Sequence, residues 1–452
     1  MDEPISAQQR AGLAARAREV IARLAERDVV AVAVSFVDTA GVARVKGVPL
    51  AAFERAAAWG VGATPVFDAF GADDSIADTP AANPAGDLRL LPDLDRVVPL
   101  ATPLGWAWAP ANRWTQDGRP HPGCARLLLA RQVDRLGEAG CTARAAFEVE
   151  WVLYADDRPA TSGPAYGLAR LTEVAEFAAE LLRALAAQHV SVEQLHPEYA
   201  PGQFELSVAA ADPVTAADTA VLVRSTIRAV AQRFGLAVSF APSVDPAGVG
   251  NGGHLHLSLH RAGRPLFAGG DRRFGLTGEA EAFAAGVLHR LPALLALGAP
   301  SAASYLRLKP SRWAGAYACW GHENREAALR LVTGSAGERE RAANLELKCV
   351  DQAANPYLLL AGALAAGIAG MHKDARLPDP VSVNPASLPK GSVPRLPADL
   401  TAATKAFAAS KVLATAFGPE LTETIIAVRR AEAARFAGAD PAAIVAATKW
   451  AW

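Results

Sequence analysis

Cysteine is the first thing this chain is short of. Its four thiols, Cys124, Cys141, Cys319 and Cys349, lie too far apart for any CxxC pair. That excludes a Cys-based zinc module and a disulfide-framed secreted fold, and it suits reduced structural thiols in the cytoplasm. An excess of one charge is missing too: 45 Lys and Arg stand against 46 Asp and Glu, so there is no basic footprint of a nucleic-acid binder. No apolar run reaches bilayer length. The longest, residues 358–371, is rich in Ala and Gly and falls short of the roughly 20 residues of a membrane span, so it reads as a buried helix packed through small side chains. The N-terminus, Met-Asp-Glu-Pro followed by an amphipathic Ala/Arg/Glu stretch, lacks the pattern of a signal peptide. What remains is a 452-residue chain, 51% apolar and 20% charged, with room for two domains and an expected cytoplasmic setting, with neither nucleic acid nor membrane as partner.

Ser6 is placed to N-cap a helix running to about Arg27, with Leu13, Val20, Ile21 and Leu24 on its apolar side. Residues 29–37 read as a strand, Asp38 to Gly41 as a turn and 42–45 as the hairpin partner. From about Thr79 to Gly123 the chain is rich in Pro and Gly and loses helical period, which marks a boundary; Trp106, Trp108 and Trp114 within it suit a domain junction. Beyond it, helices over 126–138 and 171–188 alternate with strands over 144–154, 203–208, 254–259 and 345–350, and the tail from Ala402 is helical. The class is α+β.

Alternate residues of a strand share a face. Over 144–154, Phe147, Val149, Trp151 and Leu153 oppose Glu148 and Glu150. Over 203–208, Phe204, Leu206 and Val208 oppose Gln203, Glu205 and Ser207. Over 254–259, three leucines oppose His254, His256 and Ser258; over 345–350, Leu345, Leu347 and Cys349 oppose Glu346 and Lys348. One such strand is an ordinary half-buried strand with a wet face. Four whose polar faces carry mainly Glu and His gather carboxylates that would repel one another and take up protons without a cation among them. Oxygen donors with an imidazole suit Mg²⁺ or Mn²⁺ better than zinc, and a two-metal site is expected. Glu198, in His196-Pro-Glu198, reaches the same face. The loop Gly248-Val-Gly-Asn-Gly-Gly253 allows backbone close to a ligand, without the Gly-Lys-Ser/Thr of a P-loop. Arg307, Arg325 and Arg330 follow. Two readings stand for the last two: surface charges paired with Glu323 and Glu326, or guanidinium forks for a transferring phosphoryl group.

These segments, in this order, resemble the glutamine synthetase family, and within it the branch of γ-glutamylpolyamine and γ-glutamylethanolamide synthetases. The matching pieces are Glu148-Val-Glu150, Val192 to Glu198 with Gly202-Gln-Phe-Glu205, Gly250 to Ser258, Ser304 to Pro310, Asn324 to Arg330, and Leu345-Glu346 leading to Asp351 to Leu358. The resemblance implies a small β-grasp-like N-terminal domain, 1–118, and a catalytic domain, 119–452, with a curved antiparallel sheet backed by helices. It implies ATP and two Mg²⁺ or Mn²⁺ ions, one held by Glu150, Glu198 and Glu205 and the other by Glu148, His254 and Glu346. Glu193, His256 and Ser258 match nucleotide contacts, Arg325 and Arg330 the catalytic arginines at the phosphates, and Arg307 the arginine on the substrate carboxylate. Glutamate, an amine and ATP are the implied substrates. A double-ring homo-oligomer, a dodecamer, with active sites between subunits is the implied assembly.

The departures lie on the amine side. Trp313 stands where ammonia-using members carry a flap glutamate, and an indole offers apolar area and a π face instead of a carboxylate. Lys348 replaces a second substrate-binding arginine with a point charge, and Asn344 replaces a nucleotide-side arginine. Gly250 and the displaced Asn251 belong to the substrate loop, and Asp73 or Asp74 to the amine pocket. The expected activity is a γ-glutamyl amide synthesis from glutamate and an organic amine, a polyamine or small alkanolamine, through a γ-glutamyl phosphate. The alternatives are an ammonia-using glutamine synthetase and a non-catalytic structural or sensing oligomer of the same fold.

Overall fold

A computed structural model describes residues 4–452. Ser6 caps the first helix, Ala7–Ala25: its hydroxyl accepts from the Gln9 N–H while the Gln9 side chain accepts from the Ser6 N–H, which satisfies two orphan donors at once. Ala17, Val20 and Leu24 are its buried residues. The hairpin that follows pairs Ala31–Val37 with Ala43–Pro49, a longer return strand than the sequence suggests. Gly41 in its turn has φ +85°, and a Cβ there would sit 2.0 Å from the Ala353 carbonyl oxygen, so both conformation and contact require glycine.

The hairpin belongs to a sheet ordered Ala43–Pro49, Ala31–Val37, Trp106–Thr115, Leu88–Pro92, Val61–Ala63, with Ala31–Val37 and Trp106–Thr115 parallel. The Pro- and Gly-rich region thus carries a ten-residue strand. Trp108 on it is buried in the main core and donates its indole N–H to Ser35 Oγ at 2.8 Å. A smaller apolar core around Val34, Phe53, Leu90 and Ala109 is separate from that main core.

The segment 144–154 is two strands, not one. Thr142–Phe147 pairs with Leu255–Arg261, whereas Val149–Ala155 pairs with Gln203–Val208 and Ala237–Ser239. The chain leaves one ladder and enters the other at Glu148, whose N–H still reaches the His254 carbonyl at 3.0 Å. One ladder runs Val192–Pro197, Gln203–Val208, Val149–Ala155, Ala237–Ser239; the other runs Arg264–Pro265, Leu255–Arg261, Asn344–Leu347, Ala327–Val332, Tyr317–His322. All their pairings are antiparallel except Tyr317–His322 with Ala327–Val332. The class is α+β, with a curled, mostly antiparallel sheet backed by helices, as the sequence leads one to expect.

Behind the sheet, Pro356–Met371 lies against Gly278–Gly298. A Cβ on Gly286 would meet the Ala366 carbonyl oxygen at 2.4 Å and one on Gly370 would meet that of Ala282 at 2.1 Å. The small residues of the apolar run therefore let two backbones touch. Gly278–Gly298 is long and apolar enough to cross a membrane by composition, but 83% of that stretch is buried in this core.

Candidate active site

Register places the polar residues. Across one ladder His196 faces Glu205 and Glu205 faces Glu150; across the other Arg330 faces Glu346 and Glu346 faces His256. The two rows line one cleft of about 710 Å³, with Glu148 and His254 at the seam between ladders. His254 Nδ1 lies 2.7 Å from Glu148 Oε2 and 3.4 Å from Glu346 Oε1, and its Nε2 lies 3.2 Å from Arg307 Nη2. A carboxylate on one nitrogen and a guanidinium on the other assign the proton to Nδ1. His256 Nε2 sits 3.1 Å from Glu148 Oε1, while its Nδ1 meets Asn344 Oδ1 at 2.9 Å.

Electrostatics divide the site. Burial, with Glu205 and Glu198 adding to it, pushes Glu150 up to about 8. Burial pushes Glu205 to about 7, Glu148 and Glu198 adding and His196 opposing. Burial also opposes the charge of Glu346, but Lys348 at 2.9 Å and the two histidines hold it down to about 2. Glu148 is likewise kept well below its ordinary range, against burial, by His256 and His254. Burial lowers His254 to about 4, while Glu148 and Glu346 overcome burial at His256 and raise it to about 9. One half is compensated by cationic side chains; the other is a group of carboxylates short of positive charge.

Such a group fits a hard divalent cation. Ligand atoms lie within 4.8 Å of one another in three sets: Glu148, Glu205 and His254; His196, Glu198 and Glu205; Glu148, His256 and Glu346. These sets do not reproduce the trios implied by resemblance. Glu150 is in none of them; it bonds Gln203 Nε2 at 3.0 Å and stands 3.8 Å from His254 Nε2.

Arg307 is buried, donating through Nη2 to the Lys348 carbonyl at 3.0 Å, and its buried Nη1 has no partner among the described residues. A buried guanidinium nitrogen without an acceptor is costly, and Arg307 is among the residues that line the cleft. Gly250 and Gly252 crowd the same side chain, Gly250 at its Cβ and Cγ and Gly252 at its guanidinium. A Cβ on Gly252 would come within 2.5 Å of Glu150 Oε1 and 2.6 Å of His254 Nε2; one on Gly250 would meet the Pro242 carbonyl oxygen at 2.1 Å and Arg307 Cβ at 2.8 Å. Asn251 does not line the cleft: its amide is spent on Gln203 Nε2 at 3.0 Å and the Ala241 carbonyl at 2.9 Å, bracing the loop from below. Lys348 lines the cleft while paired with Glu346.

Arg330 bonds Glu346 at 3.1 Å and Glu323 at 2.8 Å, the latter the pairing expected from sequence, and it lines the cleft. Arg325 is exposed on the cleft rim. Glu193 is exposed at a bulge, and Ser258 lies on its strand outside the cleft lining. Asp73 pairs with Arg435 at 3.2 Å and Asp74 with Arg44 at 2.6 Å; neither reaches the cleft of its own chain.

Sequence reasoning missed four residues. His196 contacts Glu205 at 3.3 Å and Glu198 at 3.6 Å; its position two before Glu198 on a strand was the available signal. Tyr166, which donates to Glu198 Oε1 at 2.7 Å, and Tyr199, which stacks on Trp313, sit in loops without periodicity. Glu326, which accepts the Trp313 N–H at 2.9 Å, reads in sequence as a partner for an arginine.

Residues 122–443 match the family model described as glutamine synthetase, catalytic domain. The chain is 56% identical to the gamma-glutamylpolyamine synthetase GlnA3 of Streptomyces coelicolor, over 98% of this chain and 97% of that protein. It is 31% identical to the glutamate–methylamine ligase of Methyloversatilis universalis, over 88% and 92% of the two chains. A crystal structure described as a novel glutamine synthase homolog superposes with a TM-score of 0.86 at 35% identity, covering 94% of this chain and 99% of that one.

Proposed function

The chain belongs to the glutamine synthetase family, and from that premise we propose that it joins the γ-carboxylate of glutamate to an organic amine, a polyamine first among them, with hydrolysis of ATP to ADP and phosphate. The observation that carries the amine half is Trp313, an indole lining the cleft where a flap carboxylate would serve ammonium, stacked on Tyr199. The names of the relatives, a polyamine synthetase and a methylamine ligase, point the same way.

Enzymes of this family use ATP and divalent metal ions. We assign two ions, held by Glu150, Glu198 and Glu205 and by Glu148, His254 and Glu346; when bound they neutralise phosphate charge and polarise the transferring phosphoryl group. The chain's own residues do the rest. Arg307, which lines the cleft and carries an Nη1 without a partner among the described residues, orients the carboxylate of glutamate. Arg330, braced by Glu346 and Glu323, and Arg325 on the rim offer guanidinium groups to the charge that builds as the γ-carboxylate oxygen attacks the terminal phosphorus of ATP and ADP departs. The amine nitrogen, in its neutral form, then attacks the γ-carbonyl carbon; the C–N bond forms, phosphate leaves with the acyl C–O electron pair, and the nitrogen gives up one proton to the departing phosphate. His256 is the nucleotide contact supported by a place in the cleft; Lys348 neighbours the glutamate site.

Phosphate release with ATP, Mg²⁺ and glutamate across ammonium, methylamine, ethanolamine, 1,4-diaminobutane and longer polyamines tests the reading. Highest kcat/KM for a polyamine is expected; highest kcat/KM for ammonium would make the protein an ordinary glutamine synthetase. We further propose two units, 1–118 and 119–452, a double-ring homo-oligomer in which Asp73 borders a neighbouring cleft, and a cytoplasmic setting in keeping with four unpaired buried thiols. Light scattering on the purified protein tests the assembly.

A further inference from the structure

Resting on the amine-ligase reading above, we propose that Glu326 and Tyr199 together set amine specificity. Glu326 is the positioning residue that fixes Trp313 in the flap, and Tyr199 is the ring with which Trp313 forms an aromatic wall for the carbon chain of a long amine.

The flap backbone is held in a conformation it would not adopt freely. Trp313 has φ +59° and Ser311 has φ +57°, the left-handed region that is costly for residues with a Cβ. Two such residues within three positions persist only where something holds them. Glu326 does: its Oε1 accepts the Trp313 N–H at 2.9 Å. The residue is only 6% exposed, and its Oε2 is buried without a partner among the described residues. A buried carboxylate with one satisfied oxygen adds little to folding; the bond it does make goes to the flap. Glu326 is itself anchored. Its N–H donates to Asn324 Oδ1 at 3.0 Å, and Asn324 Nδ2 is bound to the carbonyls of Val381 and Val383 at 2.8 and 3.0 Å.

The fixed indole lies 12° from parallel with Tyr199, ring centroids 6.4 Å apart. Tyr199 is fixed in turn. It follows Glu198 directly, donates its N–H to Glu198 Oε2 at 3.2 Å, and meets Tyr166 edge-on at 5.7 Å. The wall therefore begins one residue from a carboxylate of the acidic cluster. An amine whose chain lies along it presents its terminal nitrogen at the cluster. Both residues are 47% exposed, so a methylene chain covering their rings removes apolar area from water on both sides, and an ammonium at the ring faces gains a cation–π contact. Ammonium itself has no chain and gains almost none of this.

The test compares wild type, Tyr199→Val, Glu326→Gln and Glu326→Ala as full-length proteins. KM and kcat are measured for 1,4-diaminobutane, a longer triamine, methylamine and ammonium, with KM for glutamate and ATP alongside. Tyr199→Val and Glu326→Ala should raise KM for the diamine and triamine about ten-fold. Values for glutamate, ATP, methylamine and ammonium should hold within about two-fold. Glu326→Gln, whose amide oxygen still accepts the Trp313 N–H, should stay near wild type. A loss shared equally by all substrates, or no change in the polyamine KM, overturns the proposal. Tyr199 is half exposed, so its variant decides the matter even where Glu326→Ala does not fold. Wild type that ligates no amine overturns the amine-ligase reading itself; wild type that ligates amines, with unmoved variants, overturns only the wall.

Discussion

Glu205 stands directly across from Glu150 in the antiparallel register of two neighbouring strands. Like charges directly opposite destabilise a sheet, and here both carboxylates are pushed above their ordinary range, by burial first and then by neighbouring acids. The proposed ion site accounts for this strain, since a cation between the two carboxylates would offset it. Glu205→Gln should therefore raise the melting temperature of the metal-free protein by about 1–4 °C, for a gain of roughly 1 kcal/mol, while turnover falls by at least about 100-fold. Thermal scans in EDTA and phosphate release with Mg²⁺ check both halves. A variant that is less stable and still active would show that the pair is not a metal site.

Much of this face was legible because strand alternation is a local rule. Glu148, Glu150, Glu205, His254, His256 and Glu346 follow from period two alone, and they do converge on one cleft. The change of ladder at Glu148 was not legible, since alternation continues unbroken through residues that pair with different partners. Asn251 misleads for a different reason. A loop asparagine among glycines has the look of a ligand contact, yet its amide is consumed by Gln203 and Ala241. Tyr199 and Glu326 depend on which loops meet, and that is decided by tertiary packing far from either residue.

Gly252→Ala removes no functional group, yet it should abolish turnover. The added methyl would lie 2.5 Å from Glu150 Oε1, 2.6 Å from His254 Nε2 and 2.9 Å from Arg307 Nη2, and those atoms belong to both proposed ion sites and to the glutamate site. We expect kcat/KM to fall by at least about 100-fold, since misplacing catalytic groups by about 1 Å has that scale of effect. Circular dichroism should show the fold retained. Activity within a few-fold of wild type would mean the three side chains need not hold these positions.

Glu346 separates a charge from a shape. Its carboxylate neutralises buried Lys348 at 2.9 Å and Arg330 at 3.1 Å. Glu346→Ala leaves the ammonium uncompensated and should cost roughly 3 kcal/mol of stability together with turnover. Glu346→Gln keeps an acceptor for Lys348 and should recover part of the stability, yet none of the activity, because an amide is a poor ligand for a hard cation beside phosphate. Urea unfolding paired with phosphate release gives both numbers. Equal stability of the two variants would remove Lys348 from the argument; activity in Glu346→Gln would remove Glu346 from the ion site.

Arg126 tests how the N-terminal sheet is tied to the catalytic core. Its guanidinium forks onto Asp218 with two bonds of 2.9 Å and also reaches Asp93 at 2.7 Å and Asn112 at 3.0 Å; Tyr357 adds a bond of 2.6 Å to the same Asp218. Asp93 and Asn112 belong to the side of the small sheet, whereas Asp218 and Tyr357 lie on core helices. Asp218 is fully buried, so Arg126→Ala leaves a charge with only Tyr357 and a longer contact to Arg96 at 3.4 Å. The cost should be roughly 3–5 kcal/mol, and it should fall on the junction. Limited proteolysis of Arg126→Ala should then release the N-terminal segment at protease levels that leave wild type intact. Arg126→Ala paired with Asp218→Asn should recover part of the loss, since the uncompensated charge goes with its partner. Additive losses in the double variant would mean that the fork is not what holds the two parts together.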